Sequence, residues 1–300
     1  MNYVMLERVE TIIRELVEEV DFPQATQLFL KLSGGKRLRA RLILTIAPTH
    51  PDAARLGAIV ELIHAASLLH DDVIDEAMLR RGVESVNATH GSKVAIMLGD
   101  ILYSKAFSAL TAFDPEIART IAQSVTQLSV GEMMDVEMGQ QFNLDRDLYL
   151  KMLYLKTATL IESCAYCAAL LEGKDANAYG VYGKNLGLAF QIVDDILDIV
   201  GNEETLGKPA LNDFVEGKTT LPYMDLYDVL DSSEQKKLMG CHGRVLETSE
   251  KQWLFKAMSE YGIIARSYER AQELCDEALS VIGDEDALRA IITSVMQRSH

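Results

Sequence analysis

Apolar positions recur at helical spacing along most of this chain, and the alternation that predicts strands is hard to find. All six prolines fall at loops or at the starts of elements, and none occurs between Glu116 and Lys208. Because a proline inside a helix costs about 3 kcal/mol or more, this placement leaves room for long helices. The same stretches are rich in Ala, Leu, Met, Glu and Lys, which favour helices. The pattern predicts an all-α protein.

Clusters of turn-forming residues at 33–35, 49–52 and 201–217 separate the predicted helices. No solenoid-type repeat or low-complexity segment is present, and the length suits one large domain, which we expect to cover residues 1–300. We expect a helical bundle around a central cavity. The predicted helices run over 3–20, 22–32, 36–48, 52–76, 92–112, 115–139, 145–172, 175–200, 222–229, 232–240, 248–259 and 261–298, with a break near Gly283.

Two copies of one acidic motif lie far apart in the chain, at residues 71–75 and 194–198, each directly after an apolar helical stretch. On a helix, the first and last Asp of each copy project from one face. Like charges at this spacing cost roughly 0.2–0.5 kcal/mol per pair, and a hard divalent cation turns the repulsion into attraction. We therefore expect the two motifs to form facing walls of one cavity that binds Mg2+.

The overall charge narrows the choice of partners. With a net charge of -16, the chain does not suit nucleic acid or anionic membrane surfaces, which attract basic patches. No uninterrupted apolar run reaches the length of about 18 residues expected of a membrane span, and the N-terminus lacks a signal pattern. We expect a cytoplasmic protein without a membrane span.

Four cysteines in 300 residues are too few for a disulfide framework. Cys164 and Cys167 form a C-x-x-C pair, but they lie within a helical pattern with no second Cys or His pair nearby. This disfavours a zinc or redox site.

Two basic clusters stand out in this acidic chain, at residues 34–39 (Gly-Gly-Lys-Arg-Leu-Arg) and 80–82 (Arg-Arg-Gly). Lys and Arg donors match the oxygens of a phosphate or diphosphate, and glycines before a helix let backbone N–H groups approach an anion. A solvated basic face is the alternative for such clusters taken alone. The acidic motifs favour the diphosphate, because a metal-bridged diphosphate needs both signs of charge around it.

In these residues the chain resembles the trans-type isoprenyl diphosphate synthases over nearly its full length, in particular the long-chain polyprenyl (hexaprenyl- to octaprenyl-type) synthases. One D-D-x-x-D motif is weak support, but two in order with basic motifs around them are highly specific. The matching segments are 34–39, 68–75 with 80–82, 99–100, 156–157, 190–198, 207–208 and 216–219.

The resemblance implies roles for individual residues, beginning with three Mg2+ ions. Direct ligands are Asp71, Asp75 and Asp194. Carboxylates that hold metal-bound waters or the direct ligands are Asp72, Asp195 and Asp198. Residues that bind the diphosphate of isopentenyl diphosphate are Lys36, Arg39, His64 and Arg81. Residues that bind the allylic diphosphate are Arg80, Lys156, Lys208 and Lys218. Thr157 and Gln191 are expected, with Lys156, at the reacting centre, where their oxygens face a developing carbocation.

Without the resemblance, His64 reads equally well as an ordinary buried histidine, and Thr157 and Gln191 as ordinary helix residues. His70 reads as a packing residue. Two segments depart from the family pattern: Ala40 stands where the family usually has proline, and 209–213 is less rich in Gly and Asp.

The implied reaction is a condensation of isopentenyl diphosphate with an allylic diphosphate of farnesyl or geranylgeranyl type, which proceeds by ionisation, condensation and elimination. A homodimer is expected from the family. The alternatives are a short-chain (geranylgeranyl) synthase, a class I terpene cyclase and a non-catalytic partner subunit of a heteromeric synthase. The acidic positions of the second motif are all Asp, which disfavours a cyclase. Every charged motif residue is present, which disfavours a non-catalytic subunit.

Product length should depend on the apolar tunnel beyond the first acidic motif. Ala66 and Ser67, five and four residues before Asp71, are both small, which predicts a long-chain product of the kind used for a quinone side chain. Ile63 or the methionines at 133, 134 and 138 are the candidates to close the far end of this tunnel. For those methionines, plain core filling is the favoured interpretation.

Overall fold

A computed structural model of the chain describes residues 3–32, 35–80, 82–201, 210–283 and 285–298. The all-α class is confirmed, since the strands found there are two short segments, β1 (Leu79–Arg80) and β2 (Val83–Glu84), paired antiparallel with Leu79 opposite Glu84. The helices are α1 (Tyr3–Glu18), α2 (Pro23–Lys31), α3 (Leu38–Ile46), α4 (Ala53–Ile74), α5 (Val86–His90), α6 (Ser92–Leu110), α7 (Pro115–Met138), α8 (Arg146–Leu153), α9 (Thr159–Glu172), α10 (Ala176–Val200), α11 (Asn212–Val215), α12 (Leu221–Val229), α13 (Ser232–Cys241), α14 (Thr248–Glu260), α15 (Ile263–Ile282) and α16 (Asp286–Met296).

The helix boundaries agree with the sequence pattern for the long elements, including the break after Ile282. Three short elements were missed: the β1–β2 hairpin, α5 and α11. The predicted helix over 145–172 was also wrong in one respect, because a five-residue π-helical turn (Tyr154–Ala158) separates α8 from α9. A single π-helical turn is too short to leave a recognisable periodicity of its own, so that the pattern does not reveal it.

The internal contacts divide the chain into two compact units, Met1–Val125 with Leu160–Gly183 (unit 1) and Thr126–Thr159 with Lys184–His300 (unit 2). The expectation of one domain over 1–300 stays a prediction.

Helix α4 is the centre of unit 1, where it packs against α1, α3 and α6. The middle of α4 is fully buried. This burial explains its apolar composition, which with its 22 residues makes it the one described helix long and apolar enough to cross a membrane. Because 67% of its most apolar window is buried within the protein, the helix reads as a core helix.

Glu61 is a buried carboxylate on α4 that organises the start of α3. Its Oε1 accepts the backbone N–H of Ala40 at 3.1 Å, and its Oε2 lies 3.4 Å from Nη1 of Arg37. Gly57 allows the close approach of the two helices, since a Cβ there would lie 3.2 Å from the Cβ of Ala40. A proline at position 40 would lack the N–H that Glu61 accepts. The family's usual residue would therefore leave part of this buried carboxylate unsatisfied.

Unit 2 has its own core around an aromatic stack. Phe214 of α11 stacks on Tyr223 of α12 with ring centroids 4.0 Å apart. The His242 ring meets Phe214 edge-on at 5.5 Å, and its Nε2 lies 2.6 Å from the carbonyl oxygen of Gly217. Buried side chains from α12 to α15 complete this core. The core therefore fixes the segment that precedes Lys218.

Two glycines make room for the π-helical turn in unit 2. A Cβ at Gly131 of α7 would lie 2.3 Å from the backbone N of Lys156, and one at Gly187 of α10 would lie 2.5 Å from the Cα of Ala158. Such distances cannot be reached without a backbone shift. The turn is thus held closely between two helices, and π-helical turns of this kind occur frequently at functional sites.

We expect Gly187→Ala to lower the free energy of unfolding by about 1–3 kcal/mol, because the added methyl group overpacks the contact with Ala158. Denaturant unfolding measures this change. Gly240→Ala is the matched control, since Gly240 also lies in a helix but has open space around it. That variant should be neutral or slightly stabilised. Equal effects of the two substitutions would contradict the close approach.

Candidate active site

The first acidic motif lies at the carboxyl end of α4 in unit 1. Asp71 is half-buried, Asp72 is buried, and Asp75 is the exposed C-cap residue of the helix. The carbonyl end of a helix carries partial negative charge, and the last turn of α4 contains no basic residue. Three carboxylates at this end are electrostatically unfavourable, so that a cation bound there would stabilise the helix.

Asp72 is held within the protein by Arg80. The β1–β2 hairpin brings Nε of Arg80 to 2.5 Å from Oδ1 of Asp72. Burial raises the pKa of Asp72, as does the nearby Asp75, and Arg80 offsets part of this rise. The side chain expected to bind the allylic diphosphate is therefore paired with the acidic motif. Arg81 lies outside the described residues.

His70 of α4 and Tyr103 of α6 lie beside this motif. Burial, followed by the charges of Asp71 and Asp100, raises the pKa of the Tyr103 phenol, which stays protonated. The His70 ring lies 5.6 Å from that of Tyr103, and a Cβ at Gly99 would meet its Nε2 at 2.3 Å. Its Nε2 also lies 3.1 Å from the carbonyl oxygen of Ile96. These contacts fit the packing role expected of His70.

The residues expected to bind isopentenyl diphosphate also belong to unit 1. Lys36 is exposed, His64 is half-buried on α4, and Arg39 is half-buried on α3. Nε of Arg39 is buried and has no hydrogen-bond partner in the described part of the chain. Burial lowers the pKa of Arg39, and Glu61 offsets part of this effect. A buried guanidinium N–H without an acceptor is the kind of donor that an anionic ligand satisfies.

The second acidic motif lies near the carboxyl end of α10 in unit 2. The Asp194 side chain is 43% exposed, and its Oδ1 lies 3.1 Å from Nη2 of Arg298. The Arg298 guanidinium also lies over the Phe190 ring, 4.1 Å from its centroid. Asp194 therefore already accepts a cation. Oδ2 of Asp198 instead accepts the backbone N–H of Asp213 at 3.1 Å, which ties it to α11.

A chain of hydrogen bonds links the π-helical turn to the second motif. The Thr157 hydroxyl donates to Oε1 of Gln191 at 2.9 Å, and Nε2 of Gln191 donates to Oδ1 of Asp195 at 3.0 Å. The Tyr149 hydroxyl donates to Oδ2 of Asp195. Burial, followed by the charge of Asp213, raises the pKa of Asp195 well above its usual range. Asp195 therefore orients Gln191 and Thr157 from within the protein.

The lysines expected to bind the allylic diphosphate meet two carboxylates that lie outside the predicted motifs. Nζ of Lys156 lies 2.5 Å from Oδ2 of Asp135 and 2.9 Å from Oε2 of Glu132. Nζ of Lys218 lies 4.0 Å from the same Asp135 oxygen. Glu132 and Asp135 are three apart on α7 just after Gly131, and this helical spacing was the available signal. Lys208 lies outside the described residues.

The residues expected to set product length differ in burial. Ala66 is fully buried, whereas Ser67 is half-buried and its hydroxyl donates to the carbonyl oxygen of His64 at 2.9 Å. Ser67 therefore adds no unsatisfied polar group to its surroundings. The core-filling interpretation was wrong for Met133, which is 73% exposed.

Both acidic motifs divide into accessible and buried carboxylates. Asp71, Asp75 and Asp194 retain accessible surface, whereas Asp72, Asp195 and Asp198 are buried. In the described part of the chain no group of three or more His, Cys, Asp or Glu side chains is arranged to hold a metal alone. A Mg2+ ion fits this donor set if diphosphate and water complete its coordination, as this ion prefers. The ligand roles and the pairing of the two motifs stay predictions.

Cys164 and Cys167 are buried free thiols whose pKa values burial raises. A raised pKa disfavours the thiolate that metal binding and redox chemistry require.

Comparison with known proteins gives one consistent family. The polyprenyl synthetase family matches residues 23–258. The chain is 30% identical to a short chain isoprenyl diphosphate synthase of Methanothermobacter thermautotrophicus, over 98% of this chain and 95% of that protein.

Two solved structures share the fold. An octaprenyl pyrophosphate synthase from Helicobacter pylori is 38% identical with a TM-score of 0.94, over 99% of this chain and 100% of that one. A polyprenyl synthase from Caulobacter crescentus, solved with calcium and isoprenyl diphosphate, is 28% identical with a TM-score of 0.87, over 98% and 95% of the two chains. The fold is thus that of the isoprenoid synthases, and the chain is a prenyltransferase that belongs to the polyprenyl synthetase family.

Proposed function

We propose that this chain condenses isopentenyl diphosphate with an allylic diphosphate of farnesyl or geranylgeranyl type and releases a long-chain all-trans polyprenyl diphosphate. One observation carries the proposal. The hydrogen bond from Thr157 to Gln191 joins the turn that bears Lys156 to the helix that bears Asp194, three residues further on. Lysines and metal-binding carboxylates in one unit provide both signs of charge that a metal-bound diphosphate needs.

The cofactor we propose is Mg2+, with three ions present when diphosphate is bound. Bound Mg2+ would neutralise the charge that develops on the departing diphosphate. Asp71, Asp75 and Asp194 would hold the metal directly. The Caulobacter relative was solved in complex with calcium and isoprenyl diphosphate, which supports a site for both a divalent cation and a diphosphate in a related protein.

The protein's own groups would bind, orient and shield the substrates. Arg80, Lys156, Lys208 and Lys218 would hold the allylic diphosphate. Lys36, Arg39, His64 and Arg81 would hold the diphosphate of isopentenyl diphosphate. Because the Thr157 hydroxyl donates its hydrogen bond to Gln191, its oxygen lone pairs stay available to a neighbouring carbocation. No protein nucleophile is needed, and the departing diphosphate is the base that removes the final proton.

We propose a long-chain product that serves a quinone side chain. The small residues Ala66 and Ser67 and the similarity to an octaprenyl synthase support this length. The short chain relative keeps a geranylgeranyl-type product as the second candidate.

We also propose a cytoplasmic homodimer. The exposed apolar residues of α7, Val130, Met133 and Val136, lie at helical spacing and support a protein interface on this helix. A second copy of the chain that packs on these residues would remove this apolar surface from water.

The direct test incubates the protein with labelled isopentenyl diphosphate, several allylic primers and Mg2+, and sizes the dephosphorylated products. A ladder that ends beyond geranylgeranyl supports the long-chain proposal, and one that ends at geranylgeranyl supports the second candidate. Cyclic hydrocarbons would favour a terpene cyclase instead.

Asp71→Asn should reduce prenyl transfer by a factor of about 100 or more, because it removes a charged metal ligand of the kind worth several kcal/mol. Steady-state turnover at saturating Mg2+ measures the loss. Asp100→Asn is the matched control, since Asp100 is an exposed carboxylate on α6 near the same site. Near-normal turnover of the Asp71 variant would exclude the metal role.

Ser67→Phe should shorten the product by one or more isoprene units while turnover of short primers persists. The half-buried position accepts a larger side chain, whereas a bulky residue at the fully buried Ala66 would also disturb the core. Ser67→Ala is the control and should leave the product ladder unchanged. An unaltered ladder in the Phe variant would rule out this position as a length determinant.

Arg298→Ala should tighten metal binding at Asp194, because it removes the cation that the carboxylate now accepts. Titration of Mn2+ by electron paramagnetic resonance, without substrate, measures the affinity. Arg289→Ala, on the preceding helix, tests for a general effect of lost positive charge. Equal affinities of the Arg298 variant and the unmodified protein would contradict the competition.

A further inference from the structure

The carboxyl-terminal part of helix α7, from residue 130 onward, turns acidic side chains inward and apolar side chains outward. Glu132 and Asp135 are buried, whereas Val130, Met133 and Val136 are exposed. A helix that only fills a core shows the opposite arrangement. Because a buried carboxylate is costly unless it is paired, this inversion calls for cations on the inner side.

The cation nearest to both carboxylates is Lys156. Its ammonium group lies 2.5 Å from Oδ2 of Asp135 and 2.9 Å from Oε2 of Glu132, and its side chain is 24% exposed. An ammonium group has three donors, of which these contacts engage two. The pair therefore fixes the direction of the third donor without consuming it.

The backbone enforces this arrangement. Gly131 lets α7 approach so closely that a Cβ there would lie 2.3 Å from the backbone N of Lys156. Glu132 and Asp135 follow one and four residues later on the same helix. The acidic pair is thus aligned with the π-helical turn through main-chain contact.

Lys218 joins the same cluster from the segment after α11. Its Nζ lies 4.0 Å from Oδ2 of Asp135 and 3.1 Å from Oε2 of Glu216. Two lysines at one carboxylate repel each other, and Asp135 lies where it offsets that repulsion. The shared carboxylate can hold two positive side chains together in advance of an anion.

We infer that Glu132 and Asp135 are positioning residues, which hold the ammonium groups of Lys156 and Lys218 together and directed toward the diphosphate of the allylic substrate. This inference rests on the proposed function and extends it to two residues of α7. The acids act through the lysines and do not touch the reacting atoms.

One oxygen of the acidic pair has no partner of its own. Oε1 of Glu132 is buried without a hydrogen-bond partner among the residues that the structure describes. Buried polar atoms in folded proteins normally have a partner. Water around a bound diphosphate would supply a donor to this oxygen.

The charge state of Lys156 gives a second consequence. Burial lowers the pKa of Lys156, but Asp135 and then Glu132 raise it by more, against an opposing contribution from Lys218. The net pKa is therefore raised, and the lysine stays protonated through the neutral and mildly alkaline range. Without Asp135, burial and Lys218 remain and the pKa falls, so that the positive charge is lost at a lower pH.

The test compares Asp135→Asn and Glu132→Gln with the matched control Glu137→Gln, an exposed residue of the same helix. We expect the KM for the allylic diphosphate to rise about tenfold or more in Asp135→Asn, as for a lost hydrogen bond to a charged group. The KM for isopentenyl diphosphate should not change. The alkaline limb of kcat/KM for the allylic substrate should move to lower pH in this variant and stay in place in Glu137→Gln.

Binding of inorganic diphosphate with Mg2+, followed by calorimetry across the same pH range, gives a readout that does not depend on turnover. A selective loss of diphosphate affinity at alkaline pH in Asp135→Asn supports the inference, whether or not the unmodified protein forms a prenyl product. Failure of the unmodified protein to form a prenyl product would instead overturn the proposed function. Folded variants with unchanged allylic KM and unchanged pH limb overturn the inference. An equal rise of both KM values also overturns it.

Discussion

Carboxylates at the carboxyl ends of helices and inside the protein cost free energy, and the polar contacts at the acidic motifs and around Lys156 reduce that cost. The ends of α4 and α10 carry three aspartates each, where the helix dipole adds negative charge of its own. The protein answers this cost with cations or hydrogen-bond donors at the inner carboxylates, Asp72, Asp195 and Asp198. The outer carboxylates, Asp71, Asp75 and Asp194, keep exposed surface, although Asp194 also pairs with Arg298.

The same principle organises the basic side of unit 2. Lys156 and Lys218 are partly buried, and carboxylates of α7 and the α11 segment lie beside their ammonium groups. The hydrogen-bond chain from Thr157 through Gln191 to Asp195 then ties this basic cluster to the acidic motif of α10. A prenyltransferase has to stabilise a departing diphosphate and a carbocation in a site shielded from water. In the site that we propose, opposite charges on neighbouring helices serve this purpose without a reactive protein nucleophile.

Much of this arrangement was predictable from the sequence, because helical periodicity and proline placement report directly on the backbone. The acidic motifs were found for the same reason, since the spacing of Asp71 and Asp75 has a defined meaning on a helix. The inward direction of Glu132 and Asp135 was not predictable, because helical periodicity predicts that the apolar residues of this segment, not the acidic ones, are buried. The π-helical turn and the pairing of Arg298 with Asp194 depend on tertiary contacts that involve Gly131, Gly187 and Phe190. Such contacts leave no periodic trace in the chain.

We propose that accessible carboxylates of each acidic motif bind divalent cations that in turn bind a diphosphate. Calorimetric titration of a non-cleavable allylic thiolodiphosphate, with and without Mg2+, measures this binding directly. We expect strong binding in the presence of Mg2+ and its loss when the metal is chelated. Equal affinity in both conditions would exclude binding through the metal.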